Sequence, residues 1–143
     1  MLHDSDGGHQ LNPSDIDKVH NLVSYSKTSS LTTSVSVASG TATVLDTVTF
    51  PSAGYYLVII SGYFAANANG YRSIRFTSTS SIDPLYARCE TTMAGHATSQ
   101  NKCQLTLYFN ASANASYRLV AYQNSGSTLN CQVQYVLIKM INN

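Results

Sequence analysis

The stretch from Asn67 to Arg72 holds side chains that could bind a ligand. Asn67 and Asn69 contribute amides, Tyr71 contributes a phenol ring, and Gly70 lies between them. Amides can hydrogen-bond to hydroxyl groups, and an aromatic ring can stack on the apolar side of a sugar. The pattern therefore predicts a saccharide-binding turn. The Asn69-Gly70 pair is also the commonest signal for a tight turn between strands, and the turn alone explains it.

Arg72 is the most informative charge in the sequence. Strand periodicity places it on one face with Ile74 and Phe76, which are expected to point into the core. A buried guanidinium needs acceptors, because an unpaired buried charge is costly. Arg72 either binds an anion or a sugar hydroxyl, or is held by loop carbonyls or by an acid such as Asp46. We expect the second, structural role.

The main candidate region for ligand binding runs from Tyr86 to Lys102. Gly95-His96 is predicted to lie at a hairpin tip, and Tyr86, Arg88 and His96 are further candidate ligand contacts. His96 could instead bind a metal on a threefold axis, although a single exposed histidine is more often only solvated.

The same hairpin would place Cys89 opposite Cys103. Directly opposed strand residues come close enough for a disulfide, but a reducing compartment would keep both as buried thiols, and we expect the reduced form. Cys131 also points to the predicted core. Only one histidine lies near these cysteines, which gives no zinc-ligand spacing. We therefore predict neither a metal nor a cofactor.

Groups for catalysis are scarce. The sequence has no Gly-x-Ser-x-Gly, no phosphate-binding loop and no His-Glu-x-x-His motif, and Asp46, Asp83 and Glu90 are far apart along the chain. We therefore predict a binding protein and not an enzyme. Only 10% of the residues are charged and the formal net charge is +1, which argues against a nucleic-acid partner. Ser, Thr and Asn instead make up close to a third of the chain.

Strands must position these residues. From Thr32 onward, β-branched and aromatic residues alternate with polar ones, and Gly, Asn, Ser and Pro interrupt them at short intervals. No long helical pattern intervenes, which is typical of an all-β sandwich or barrel. The periodicity predicts strands over 33–38, 42–50, 54–66, 71–79, 85–94, 102–110, 116–123 and 129–141.

The first 30 residues differ from the rest. An Asn-Pro-Ser sequence at 12–14 predicts a helix start, and apolar residues then recur at helical spacing from Ile16 to Val23. We expect residues 1–30 to form a leader and a short helical neck, or a frayed linker, and residues 31–143 to form one head domain. No apolar run predicts membrane insertion, and none follows the first Met as in a signal peptide.

Two predicted strands, 54–66 and 129–141, are apolar on both faces. The core of a sandwich this small covers only one face of a strand, so the other face needs a second cover. Another subunit is the simplest cover, and the short helix at 14–23 or a long loop is the alternative. We assign the following residues to a subunit interface: Tyr56, Val58, Ile60, Phe64, Val136, Ile138 and Met140.

The segment Phe50-Pro51-Ser52-Ala53-Gly54-Tyr55-Tyr56 resembles a pattern of the TNF-like and complement-globular-head superfamily. In that pattern, a Phe and a short Pro-containing turn precede a Gly-x-Tyr that opens a central strand. Residues 72–81, 113–122 and 132–141 resemble later strands, the last of which packs near a threefold axis. The resemblance covers roughly residues 32–142 and implies a jelly-roll β-sandwich that assembles as a homotrimer.

Within that superfamily, the segment from Phe64 to Ser73 is most similar to head domains at the tips of phage and prophage tail proteins. This resemblance implies a trimeric receptor-binding head at the tail tip of a virion, assembled in the host cytoplasm. Its partners would be an upstream fibre or baseplate protein and a saccharide or protein of the host surface. The alternative is a structural module that caps three fibre chains without a ligand. The collagen-like Gly-x-x repeat of some relatives is missing.

Overall fold

The computed structural model describes residues 23–28, 33–78 and 90–140. These residues form nine strands in two antiparallel sheets. In chain order the strands are β1 (Val23–Thr28), β2 (Val35–Val37), β3 (Thr43–Thr49), β4 (Gly54–Phe64), β5 (Asn67–Ser78), β6 (Glu90–His96), β7 (Asn101–Ala111), β8 (Ser116–Gln123) and β9 (Leu129–Met140).

The strand order within each sheet is that of a jelly roll. The first sheet runs β1-β9-β4-β7, with β2 also paired to β9, and the second sheet runs β3-β8-β5-β6. Most connections pass from one sheet to the other, so that most neighbours in a sheet are distant in sequence. The predicted all-β jelly-roll sandwich is therefore confirmed.

A cluster of aromatic rings joins the two sheets at one end of the core. The fully buried Phe50 ring lies 4.8 Å from Tyr56 in the first sheet and 5.7 Å from Tyr117 in the second, both edge-on. Phe76 and Phe109 meet across the same gap at 5.3 Å. Edge-to-face contacts of this kind add to the stabilisation from buried area.

The inward face of β4 is the one that the sequence analysis assigned to a subunit interface. Tyr56, Val58, Ile60 and Phe64 are fully buried between the two sheets of the same chain. They cannot form an interface between chains, and this part of the prediction is wrong. Because both faces of β4 are apolar, the alternation alone could not tell which one points inward.

The interface residues predicted on β9 lie on its outward face. Leu137 is fully buried in the core, whereas Val136, Ile138 and Met140 alternate with the core positions and are half-buried. These three residues remain candidates for a contact between chains.

The sandwich begins earlier than the sequence predicted. Residues 23–28 form an edge strand that pairs with β9, although the sequence analysis placed them in the leader. Their backbone hydrogen bonds to β9 give this period-two segment a strand conformation. Apart from Val23, which is in this strand, the predicted helix over 14–23 lies outside the described residues.

The predicted hairpin around His96 is wrong. β6 and β7 follow each other in sequence, but β6 pairs with β5 in the second sheet and β7 pairs with β4 in the first. The residue opposite Cys103 in β4 is Gly62. Cys103 is a free thiol, and Cys89 lies outside the described residues.

Replacing Gly62 by Ala should destabilise the sandwich. A methyl group there would overlap the Ile74 side chain, which reaches across from β5. Overpacking of this kind typically costs about 1–3 kcal/mol, although Ala is otherwise preferred to Gly within a strand. Urea unfolding of Gly62→Ala, alone and combined with Ile74→Ala, measures the effect. We expect Gly62→Ala to cost less in the Ile74→Ala background, and an equal cost in both would contradict the packing.

Candidate functional site

The residues of the predicted saccharide-binding turn lie together at the start of β5. We call residues 67–71 the amide turn. The pairing register between β5 and β6 shifts between Asn67 and Tyr71, so the backbone bends away from a regular strand here. Gly70 has a φ of +67°, and a side chain at this position would overlap Asn124. Glycine is therefore required for the turn to pack against the loop that follows β8.

Arg72 holds the amide turn from inside the protein. Its side chain is fully buried. Nη1 donates to the carbonyl of Asn69 at 2.6 Å, and Nη2 donates to the carbonyl of Asn67 at 2.8 Å. The expected structural role, with loop carbonyls as the acceptors, is confirmed. The guanidinium lies beneath the surface and reaches no exterior ligand directly.

The second side of the turn is tied to residues 124–128, the β8–β9 loop. The Oδ1 atom of Asn124 accepts the backbone N–H of Tyr71 at 2.6 Å, and Nδ2 of Asn67 donates to Oγ of Ser127 at 3.1 Å. Within the turn, Oδ1 of Asn67 accepts the N–H of Asn69 at 2.8 Å. The Asn67 amide is thus used inside the fold, whereas the Asn69 side chain is exposed.

The buried Gln123 side chain sets the shape of the β8–β9 loop. Its Nε2 donates to the carbonyls of Val37 and Ser127 at 2.9 and 2.7 Å, and its Oε1 accepts the N–H of Ser125 at 2.7 Å. A fully buried amide with partners on both ends stabilises one loop conformation. The loop in turn presents Asn124 to the amide turn.

Two rings and a guanidinium extend from the turn along the outer face of the second sheet. Tyr71 is 37% exposed, and its ring centroid lies 5.6 Å from that of Tyr122. The guanidinium of Arg75 lies 4.8 Å from the Tyr122 ring centre, a cation–π contact. We call Tyr71, Tyr122 and Arg75 the phenol patch. Tyr122 and Asn124 could not be found from the sequence, because only the pairing of β5 with β8 brings them beside Tyr71. Arg75 was missed although the strand period of two places it on the same face of β5 as Tyr71.

The structure brings together only part of the predicted ligand site. Asn67, Asn69 and Tyr71 form one surface above Arg72, and the backbone of His96 lies opposite Asn67 in β6. Tyr86 and Arg88 lie outside the described residues. Binding of a ligand at these positions stays a prediction.

Burial suppresses ionisation of the two described cysteines. It raises the pKa of Cys103 to about 12, against a smaller lowering by the Arg72 charge. It also raises the pKa of Cys131 to about 12. Burial likewise lowers the pKa of Arg72. Both cysteines are therefore neutral thiols near pH 7, and neither is an activated nucleophile.

The outer face of the first sheet is apolar near one end. The pairing of β9, β4 and β7 aligns Ile138 with Leu57, and Val136 with Ile59. All four of these side chains are half-buried. Next to them, the rings of Tyr55 and Tyr108 stack at 5.2 Å with only 6° between their planes. We call these six residues the apolar outer face.

Towards the other end the same face becomes polar. Ser61 lies between Gln104 and Gln134 in the register, and the next row holds Tyr63 with the ammonium of Lys102 5.5 Å from its ring centre. The surface thus changes from apolar to amide and cationic groups over a few residues.

Residues 23–28, 33–78 and 90–140 hold no group of three or more His, Cys, Asp or Glu side chains that could bind a metal ion. They also include no helix that is long and apolar enough to cross a membrane.

Comparison with known proteins gives a similarity of fold. No protein-family model and no curated protein matches the chain. Among solved structures, the chain is similar to Eiger TNF from S. frugiperda, with 13% sequence identity and a TM-score of 0.49. The alignment covers 77% of this chain and 87% of the other. At this identity the likeness concerns the fold alone.

Replacing Arg72 by Met should destabilise the protein far more than replacing Arg75 by Met. The first change leaves the carbonyls of Asn67 and Asn69 without their charged donor, and hydrogen bonds to charged groups contribute about 1.5–3 kcal/mol each. The second removes one cation–π contact of a half-buried side chain, which contributes about 0.5–2 kcal/mol. Chemical denaturation of both variants measures the difference. Equal stabilities of the two would contradict the role of Arg72.

The buried thiols should make stability depend on alkaline pH. Their pKa is higher in the folded state than the ordinary 9.0, so the unfolded chain loses these protons first. Their contribution is fully present below about pH 9 and is lost as pH rises towards 12.

In a Cys89→Ser variant, iodoacetamide should label Cys103 and Cys131 slowly in the native protein and rapidly in urea. Equal labelling rates in both states would rule out burial of the thiols.

Proposed function

We propose that this protein is a homotrimeric receptor-binding head of a phage or prophage tail, which recognises a saccharide on the host-cell surface. The observation that carries the proposal is the difference between the two outer faces of the sandwich. The first sheet presents the apolar outer face, and the second presents the phenol patch beside the amide turn. One face suits burial against other copies, and the other suits a hydroxyl-rich ligand in water.

The assembly part of the proposal depends on the apolar outer face. Tyr108 is 62% exposed in a single chain and stacks on Tyr55, on the outward side of the edge strand β7. Clustered exposed apolar groups mark contact surfaces. The resemblance of residues 132–141 to a strand near a threefold axis supports a position for Val136 and Ile138 at the centre of such a contact.

The ligand part depends on the amide turn and the phenol patch. An exposed ring next to side-chain amides offers both the stacking surface and the hydrogen-bonding groups that a sugar needs. A single site of this size binds weakly. Three copies would raise the avidity on a polyvalent surface by a factor of about a hundred or more where the geometry permits.

The tail context is supported by the resemblance of residues 64–73 to phage and prophage heads. An upstream fibre or baseplate protein would then carry the trimer, and assembly would take place in the host cytoplasm. A structural cap without a ligand would share the trimer and differ only in lacking the saccharide site.

Placing a charge on the apolar outer face should separate the copies. Light scattering should give the wild-type protein a mass about three times that of the 15.4 kDa chain. Ile59→Glu should shift it to the monomer, because an isolated carboxylate is costly to bury in an interface. The matched control is Thr47→Glu at an exposed position of β3 in the second sheet, which should remain trimeric. A monomeric wild-type protein would contradict the assembly.

The trimer should bind glycans of the host envelope. Surface-immobilised host polysaccharides provide the test, with the Ile59→Glu variant as a low-valency comparison that should dissociate faster. A wild-type trimer that binds none of them would instead support the structural cap.

A further inference from the structure

Among the described residues, two exposed carboxamides lie near Tyr71, those of Asn69 and Asn124. Asn69 precedes Tyr71 by two residues in β5, and Asn124 directly follows β8. Asn124 Oδ1 accepts the Tyr71 N–H at 2.6 Å, and the Asn124 N–H donates to the Tyr71 carbonyl at 3.2 Å. These two bonds fix the Asn124 amide beside the Tyr71 backbone. Both exposed groups are neutral carboxamides, and Arg75, the cation of the phenol patch, lies four residues further along β5.

The guanidinium groups of Arg72 and Arg75 are already engaged. Both Nη atoms of Arg72 donate to carbonyls of the turn itself, beneath the surface. The Arg75 guanidinium lies against the Tyr122 ring. A carboxylate or sulfate at Tyr71 would have to compete with these contacts for a cation. The anion would also lose its water of hydration, and hydrogen bonds from neutral amides would compensate poorly for that loss.

We propose that the site at Tyr71 binds an uncharged pyranose, such as a neutral hexose or an N-acetylhexosamine. The apolar side of the sugar ring stacks on Tyr71, and the amides of Asn69 and Asn124 hydrogen-bond to its hydroxyl groups. This assignment rests on the proposed function and adds to it the class of sugar and the contacting residues.

Arg72 is the positioning residue of this site. Its planar guanidinium donates to the carbonyls of Asn67 and Asn69 at the same time. These hydrogen bonds fix the backbone between the two residues, and therefore the direction of the Asn69 side chain. A lysine keeps the charge, but its N–H donors are all on one nitrogen atom and lack the planar geometry of the guanidinium. Arg72→Lys should therefore weaken sugar binding while leaving the preference among sugars unchanged.

The test compares neutral with acidic glycans on the assembled wild-type protein. Immobilised neutral hexose and N-acetylhexosamine polymers are set against sialylated and uronate-containing ones, at low and high salt. We expect binding to the neutral polymers with little salt dependence, because no charge pairing is involved. Tyr71→Ala and Asn69→Ala should each weaken binding by about tenfold. The control Thr47→Ala, an exposed position of the same sheet, should bind as the wild type does.

The outcomes separate this inference from the proposed function. Binding to acidic glycans alone would overturn the inference and leave a saccharide-binding head in place. Neutral binding that survives both Tyr71→Ala and Asn69→Ala would also overturn it, because the site would then lie elsewhere. A trimer that binds no glycan of either kind would overturn the proposed function itself. Weaker binding of Arg72→Lys with the wild-type preference among sugars supports the positioning role, and unchanged affinity contradicts it.

Discussion

β4 is apolar on both faces, whereas a two-layer sandwich has only one core. Its inward face, with Tyr56, Val58 and Ile60 fully buried, supplies the centre of the contact between the sheets. Its outward face, with Leu57 and Ile59, is left half-buried at the surface of a single chain. β4 is hydrogen-bonded to β9 on one side and to β7 on the other. Side chains of these neighbouring strands therefore alternate between the inward and outward faces in register with those of β4. The apolar outer face follows from this constraint.

The second sheet meets a different requirement, which is to carry an irregular turn at the start of a long strand. Arg72 makes this possible, since it supplies donors to two carbonyls that the bend removes from regular pairing. The buried Gln123 amide likewise donates to two carbonyls, those of Val37 and Ser127, and so supports the adjacent loop. The exposed groups at Tyr71 are thus held by polar contacts made inside the protein, and a ligand would meet a largely preformed surface. Such preorganisation lowers the entropy cost of binding.

Much of the fold could be predicted from local pattern. The predicted strand over 116–123 matches β8, and those over 54–66 and 129–141 extend slightly beyond β4 and β9. These segments have strong period-two alternation and clear turn residues at their ends. The structural role of Arg72 was also predictable, because a charge at a core position must find acceptors.

What could not be predicted depends on pairing between distant strands. Nothing local distinguishes the two apolar faces of β4, so the inward side chains were assigned outward. The sequence around His96 is compatible with a hairpin, yet β6 and β7 belong to different sheets. Tyr122 joins Tyr71 only through the register of β5 and β8. In each case, tertiary contacts decide between local alternatives that have similar energies.

The central claim is that the two outer faces have different roles, one buried between copies and one open to ligand. Hydroxyl-radical footprinting of the wild-type protein, with labelling of each tyrosine measured by mass spectrometry, tests it most directly. In a single chain Tyr108 is 62% exposed and Tyr71 is 37% exposed, so a monomer would label Tyr108 faster. The account predicts the reverse order, with Tyr108 protected and Tyr71 labelled. Faster labelling of Tyr108 would contradict it.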